Sequence, residues 1–235
     1  MEITCILCGQ PNIQNDSGYF SCATCKTIYS DQKEPANYDK YSEMYPGMKE
    51  WCKELKLKPN AWRKAANRGF PYEKVIEWFM NQDQKMSILD VGCGWGYMVY
   101  VLNTLGFSAK GIDISQEPID FATQVFGNDY ILETIENFKA KVDIITAIEV
   151  FEHLAKPVEW LKKCLEIAPK VILTTPNMGW PTYEDQNLKW ISEDPPIHMA
   201  CYRKESMEWL KNEIKAILEL DDSGLNLIAI FTKNG

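Results

Sequence analysis

Three groups of residues carry chemistry by their type and spacing. Glycines 92, 94 and 96 in Asp90-Val-Gly-Cys-Gly-Trp-Gly96 close the apolar run that begins at Ile88. A turn this dense in glycine lets the backbone approach a ligand with no Cβ in the way. Asp113 ends the next apolar run, Gly111-Ile-Asp113, at the spacing from which a carboxylate accepts bonds from ribose hydroxyls, so the pair describes a nucleotide-type cofactor site. The glycines follow G-x-G-x-G, and Tyr97 stands where a dinucleotide fingerprint has its third glycine. That spacing disfavours a bound pyrophosphate.

Glu149, Glu152 and His153 lie together in Ala147-Ile-Glu-Val-Phe-Glu-His-Leu154. Three readings stay open: hydrogen bonds that only hold the loop, a carboxylate-rich site for Mg²⁺ or Zn²⁺, and His153 as a general base. The third group is Cys5-x-x-Cys8 and Cys22-x-x-Cys25, two pairs thirteen residues apart, with Gly9 just after the first and Asn15, Asp16 and Gly18 between them. This is zinc-ribbon spacing. Four thiolates fill a tetrahedral Zn²⁺ and leave no open position, which makes the expected site structural. Redox chemistry would need one pair at a helix start rather than two facing pairs. So short a segment has no core of its own, so metal binding would supply much of its folding free energy. Cys52, Cys93, Cys164 and Cys201 show no such pairing and are expected as buried packing.

The elements that must position these groups can be read from hydrophobic spacing. Strands are expected over 87–92, 109–113, 130–133, 142–149 and 171–175, with helices over 95–105, 117–126 and 158–167; short apolar runs of this kind suit a mainly parallel sheet covered on both faces. A helix over 204–214 and a hairpin of 215–219 with 225–232 across Asp221-Asp-Ser-Gly224 follow. Between ribbon and glycine turn, residues 31–85 are helical in period and rich in aromatics, among them Tyr38, Tyr41, Tyr45, Trp51, Trp62, Phe70, Tyr72 and Trp78. Val75, Ile76, Phe79 and Met80 would paint the buried face of a helix opened by Pro71. These aromatics are expected as core, with Tyr38 or Tyr41 folding over the cofactor as the alternative. The organisation expected is a zinc ribbon over 1–30, a helical linker or lid over 31–85, and a cofactor-binding domain over 86–235.

In an open parallel sheet, ligands collect where the strands end. Two further places therefore carry candidate residues. Thr174-Thr-Pro-Asn177 reads first as turn chemistry and second as a substrate contact. The stretch from Met178 to Arg203 is long enough to be a lid or binding loop, with Trp180 and Tyr183 as walls of an acceptor pocket and Pro195-Pro-Ile-His198 near its end. The chain has two histidines, His153 and His198. Imidazole is the side chain that titrates near neutrality unaided, so both are candidates for proton transfer.

Asp90-Val-Gly-Cys-Gly-Trp-Gly96 with Gly111-Ile-Asp-Ile-Ser115 resembles the first two motifs of the class I S-adenosylmethionine-dependent methyltransferases. Glu149-x-x-Glu152-His153 resembles a segment of the ubiquinone-pathway O-methyltransferases, where the matching residues are implicated in metal binding and catalysis. Pro195-Pro-x-His198 resembles methyltransferases of polysaccharides and secondary metabolites that begin with a zinc ribbon. The resemblance implies a Rossmann-like α/β fold, a mainly parallel seven-stranded sheet ending in an antiparallel hairpin. It implies S-adenosylmethionine bound by Asp90, Gly92, Cys93, Gly94, Gly96, Asp113, Ile114, Ile135 and Glu149, with glycines 92, 94 and 96 at its amino-acid part and Asp113 at its ribose; placement after the third strand alone puts Thr134–Glu136 at its adenine. It further implies His198, His153 and Glu152 as catalytic, Cys5, Cys8, Cys22 and Cys25 as zinc ligands, and Mg²⁺ at Glu149, Glu152 and His153 as an additional ion. Lys211-Asn-Glu-Ile214 departs from the Gly-Phe usual after the last helix, which puts the hairpin pairing in question.

The formal charge of −8 over 235 residues gives no global pull toward polyanions, and residues 1–30 hold one lysine, Lys26, and no arginine. An RNA methyltransferase that reads RNA through its ribbon is therefore the weaker alternative; a non-catalytic cofactor-binding module is the other. The expected acceptor is a small molecule methylated on a hydroxyl of a sugar, phenol or secondary metabolite. With no secretory signal after Met1 and no apolar run of the roughly 20 residues a bilayer needs, a cytoplasmic protein with reduced thiols is expected; oligomeric state is left open.

Overall fold

The computed structural model describes residues 3–12, 20–30, 47–57, 71–179 and 198–234. Asn15, Asp16, Gly18, Tyr38, Tyr41, Tyr45, Trp62, Phe70, Trp180, Tyr183 and Pro195 to Ile197 lie outside them, so the lid and acceptor-wall expectations fall there. Seven strands form one sheet in the order β11-β12-β9-β8-β5-β6-β7: β5 (Ser87–Val91), β6 (Ser108–Asp113), β7 (Tyr130–Leu132), β8 (Ile144–Ile148), β9 (Lys170–Pro176), β11 (Ala216–Asp221) and β12 (Asn226–Lys233). The expected α/β class and the closing hairpin are both present. The chain divides into two units, one of Asn37–Ile148 with Ile167–Pro169, the other of Met1–Ala36, Glu149–Glu166 and Lys170–Gly235.

In the first unit β5 pairs in parallel with β6 and with β8, and β6 with β7. Parallel neighbours of this kind need a crossover connection, supplied here through α3 (Tyr97–Thr104) and α4 (Gln116–Phe126). Ile88, Leu89, Ile112, Ile144 and Ile145 are buried, as strands covered on both faces require. Two earlier helices, α1 (Met48–Leu57) and α2 (Tyr72–Met80), precede the sheet. Val75, Ile76 and Phe79 of α2 are buried, whereas Met80 is exposed. Its expected place on the inner face is thereby corrected, since the helix ends there and the next residue, Asn81, is its C-cap. Helix α1 sets Lys49 over the Trp95 and Phe121 rings, Lys53 over Phe121 and Lys56 over Phe126, each about one helical turn on.

The glycine turn enters α3 two residues later than sequence spacing suggests. Gly96 is the N-cap, with φ of 82°, a left-handed geometry that residues with a Cβ resist. A Cβ there would lie 2.5 Å from Tyr130 Cε1 and 2.7 Å from the Ala122 methyl, and the Tyr130 hydroxyl donates to the Gly96 carbonyl at 2.8 Å. Gly96 is therefore demanded by packing against β7 and α4.

In the second unit β12 pairs antiparallel with β9 from Asn226↔Pro176 to Thr232↔Lys170, and with β11 from Ala216↔Lys233 to Asp221↔Ile228. The hairpin forms despite the departure at Lys211 to Ile214, because Lys215 itself takes the left-handed cap that ends α6 (Lys204–Ile214), with φ of 56°. The ribbon contributes four two-residue strands, β1 (Ile3–Thr4), β2 (Pro11–Asn12), β3 (Phe20–Ser21) and β4 (Ile28–Tyr29). Strand β4 pairs antiparallel with β3 and with β10 (Ala200–Cys201). Helix α5 spans Pro157–Ile167. Among the described residues no helix is long and apolar enough to cross a membrane.

Gly96→Ala is predicted to destabilise the protein by about 1–3 kcal/mol through strain and overpacking, read as a lower urea midpoint; an unchanged midpoint would contradict the packing role.

Candidate functional site

In the Asn37–Ile148 unit, the backbone ends β5 in a left-handed run at Gly92, Gly94 and Gly96. The Gly92 and Cys93 N–H groups both donate to the Ile112 carbonyl, at 2.9 and 3.0 Å, which ties this turn to β6. Asp113 completes the tie. Its Oδ2 accepts the Gly94 N–H at 2.9 Å and its Oδ1 the Ser115 N–H at 2.9 Å. A carboxylate has about four lone-pair sites, and these two N–H groups take one on each oxygen. Burial raises its pKa, while the bonds from Gly94 and Ser115 oppose that shift. Ile114, next along, is 63% exposed, an apolar side chain facing open space beside that carboxylate. Ile135 is buried, and the Thr134 N–H bonds the Glu133 carboxylate at 2.9 Å.

Asp90 is buried at the end of β5 and accepts the Thr146 hydroxyl at 2.7 Å. Burial pushes its carboxyl up to about 7, opposed by Thr146 and reinforced by Asp113. Cys93 is buried beside Gly111, where an added Cβ would stand 2.7 Å from the sulfur. Burial pushes that thiol well up, so it is packing rather than a nucleophile. Thr146 and Tyr130 are partners that sequence reading missed; each lies inside an ordinary strand pattern and carries no motif.

In the other unit, β8 is followed by Glu149 with φ of 55°. A left-handed glutamate is uncommon and is held here by its own bonds: its N–H donates to Thr174 Oγ1 at 3.1 Å, and its Oε1 accepts from Thr174 Oγ1 at 2.8 Å and Asn226 Nδ2 at 3.0 Å. Burial raises its carboxyl to about 7 against the pull of those two donors. A 3₁₀ turn at Phe151–His153 then carries Glu152 and His153. Among the described residues the two buried Glu152 carboxylate oxygens meet no hydrogen bond of ordinary geometry, though the Thr175 hydroxyl pulls against the rise in its pKa; His153 Nε2 lies 3.8 Å from Oε1. Burial, and then the charge of Glu149, push the Glu152 pKa well up.

His198 joins them across the sequence. Its ring centroid is 4.9 Å from that of His153, and Glu152, His153 and His198 each offer a ligand atom within 4.8 Å of the others. Burial lowers His198 to about 3, helped by His153, which keeps it neutral at physiological pH. The expected trio of Glu149, Glu152 and His153 is thus not the one assembled: the Glu149 carboxylate is engaged by Thr174 and Asn226, and His198 takes the third place. Asn177 serves the turn reading, with its N–H bonded to the Leu225 carbonyl at 2.8 Å and its Nδ2 bonded to the Asp222 and Gly224 carbonyls at 3.0 Å each.

The ribbon brings its four cysteines together in the same unit. Cys5 and Cys25 sulfurs are 3.5 Å apart, Cys8 and Cys22 sulfurs 3.4 Å, and all four lie within 4.8 Å of one another. Zn–S bonds of about 2.3 Å in a tetrahedron imply sulfur separations near 3.8 Å, so the set fits zinc. Two knuckles shape it: the Gly9 N–H bonds the Cys5 carbonyl and the Lys26 N–H the Cys22 carbonyl, with both residues left-handed at φ of 71° and 60°. Lys26 does at the second pair what Gly9 does at the first.

The family described as a methyltransferase domain matches residues 61–214. The chain is 28% identical over 171 residues to the mitochondrial ubiquinone biosynthesis O-methyltransferase of Saccharomyces cerevisiae, covering 64% of this chain and 55% of that protein. It is 33% identical over 91 residues to the ubiquinone biosynthesis O-methyltransferase of Actinobacillus pleuropneumoniae, covering 33% and 39%. The chain therefore spans about half or less of the length of these curated relatives. Among solved structures it is similar to magnesium protoporphyrin IX methyltransferase from Synechocystis PCC 6803, with TM-score 0.55 and 17% identity over 69% of this chain and 81% of that one. It is also similar to the PH0226 protein of Pyrococcus horikoshii, with TM-score 0.59 and 17% identity over 84% and 100%. These likenesses establish the fold.

A carboxyl raised from 3.8 to about 7 holds its proton more tightly folded than unfolded. Its stabilisation is full below the ordinary carboxylate range and is lost as pH rises through 7. Between those limits the wild type should lose stability relative to Asp90→Asn in urea titrations; parallel pH profiles would contradict the assignment.

Proposed function

The chain belongs to the methyltransferase-domain family, and from that premise we propose that it transfers a methyl group from S-adenosylmethionine to a hydroxyl of a small-molecule acceptor. The observation that carries the cofactor reading is the Asp113 carboxylate, clamped by Gly94 and Ser115 N–H groups with acceptor capacity left over. In this reading Asp113 takes the ribose hydroxyls beside Ile114, the turn of Gly92, Cys93, Gly94 and Gly96 with Asp90 takes the amino-acid part, and the segment around Ile135 takes the adenine. Glu149 serves from the end of β8.

The sulfonium, when bound, supplies a methyl carbon that is already electrophilic. What remains for the chain is to hold an acceptor oxygen in line and remove its proton. With that group bound, its carbon–sulfur bond would break toward sulfur as the acceptor oxygen took the methyl, and the part left to this chain would be an imidazole that takes the hydroxyl proton. His153 is the better acceptor of that proton, because a base near 3, as His198 is, lies far from the operating pH. Glu152, 3.8 Å from His153 Nε2, orients that ring; His198 stays neutral beside it. Trp180 and Tyr183 remain the proposed walls of the acceptor pocket.

A second reading has its own support. A buried carboxyl next to two imidazoles, its oxygens without a hydrogen bond of ordinary geometry among the described residues, is a donor set for a divalent cation. One oxygen and two nitrogens suit Zn²⁺ or Fe²⁺ better than Mg²⁺. Elemental analysis separates the two: a second metal per chain, lost in Glu152→Ala, supports the cation, and a single metal in both supports the base alone. The reading of the ribbon as an RNA module has less behind it, since Ile28 and Tyr29 of β4 are buried and pair with β10.

His153→Ala is predicted to lower kcat for labelled methyl transfer to a hydroxyl acceptor by about 10²–10⁴, with cofactor Kd unchanged and His198→Gln less affected. Full activity in His153→Ala would overturn the base assignment.

A further inference from the structure

The four-cysteine site is joined by short steps to the backbone that carries His198. Cys25 Sγ donates to Thr27 Oγ1 at 3.2 Å, and Thr27 Oγ1 donates to Ser206 Oγ at 3.3 Å. Ser206 Oγ accepts the Arg203 N–H at 3.2 Å, in the reciprocal cap that starts α6. Thr27 and Ser206 are fully buried. A hydroxyl has one proton to give and two lone pairs to receive. When the sulfurs are thiolates, the chain therefore reverses without losing a bond: Ser206 donates to Thr27, Thr27 to Cys25, and Ser206 still accepts from Arg203.

A second link runs through the main chain. Ile28 and Tyr29 pair with Cys201 and Ala200, and the Ser30 N–H donates to the Met199 carbonyl at 3.2 Å. From its other side Met199 donates its N–H to the Glu152 carbonyl at 2.9 Å. Strands of two residues have no stability of their own, so β10 persists because β4 holds one edge and the Phe151–His153 turn lies at the other. His198 is the residue just before this clamped segment.

We propose that the cysteine ribbon acts inward as the positioning element of the histidine site. Metal on the four thiolates fixes β4, β4 fixes β10, and β10 sets His198 against His153 and Glu152. Thr27 and Ser206 are positioning residues that carry the same coupling through their hydroxyls. The inference explains why a short metal-bound segment with few cationic residues pairs with the far end of the chain. It rests, for its bearing on turnover, on the reading that the two histidines serve the acceptor.

The test uses the full zinc-loaded chain, its chelator-treated form, and the variants Thr27→Val and Thr27→Ser. Hydrogen exchange over residues 198–203 and the ring resonances of the two histidines are recorded beside zinc content and acceptor kinetics. Thr27→Val should keep its zinc, exchange faster over 198–203, shift the His198 resonance and raise acceptor KM about fivefold, the weight of one hydrogen bond, while amides of β5 and β6 stay protected. Thr27→Ser should restore exchange, the His198 resonance and KM to their wild-type values. Wild-type exchange over 198–203 in both the Thr27→Val and the zinc-stripped protein would overturn the coupling. If chelation unfolds the whole chain, the Thr27 pair alone decides. Faster exchange with an unchanged KM would uphold the coupling and overturn instead the assignment of the histidines to the acceptor.

Discussion

Asp113 spends both carboxylate oxygens on backbone N–H groups, one from Gly94 in the glycine turn and one from Ser115 ahead of α4. That pair of hydrogen bonds between two loops is the constraint on which the glycine turn depends. Without it the left-handed run at 92, 94 and 96 would have only the Ile112 carbonyl to hold it against β6. The cost is a buried carboxylate; N–H donors offset its desolvation, and the same donors shape a cradle that presents the remaining lone pairs. Asp90, one strand away, meets the same problem with one hydroxyl from Thr146 and is driven up to about 7.

The unit that contains the histidines uses a different solution. Glu149 is satisfied by Thr174 and Asn226 in a strained backbone geometry, while Glu152 is buried and, among the described residues, its carboxylate oxygens meet no hydrogen bond of ordinary geometry. Two acidic groups three residues apart thus have distinct tasks: one braces the strand ends, and the other is left open to a proton, a cation or a substrate. Burial of His198 in the same cluster keeps positive charge away from the site until a ligand brings it. The short strands of the ribbon then become part of the site's support, since the backbone next to His198 is held by them.

Much of this was legible in the residues. The tight turn at 92, 94 and 96 and the strand-end Asp113 were readable from glycine spacing, because a left-handed turn and a strand-end carboxylate leave direct marks on composition. The Cys5, Cys8, Cys22 and Cys25 cluster was equally plain, and its four sulfurs do converge. Helix α3 began later than its hydrophobic pattern, because Gly96 serves as a cap packed on Tyr130 rather than as a helical residue. The grouping of His198 with Glu152 and His153 in place of Glu149 had no local signal. It depends on a left-handed glutamate and on the pairing of β10 at Ala200–Cys201 with β4 at Ile28–Tyr29, far apart in sequence, which no short-range pattern encodes. Thr27 and Ser206 were silent for the same reason.

The central claim is that the Asp113 cradle takes S-adenosylmethionine. Calorimetric titration of the zinc-loaded protein with S-adenosylmethionine, with NAD in parallel and Asp113→Ala as control, tests it most directly. The account predicts binding of S-adenosylmethionine alone, abolished by the substitution. Preference for NAD, or no binding of either, would contradict it.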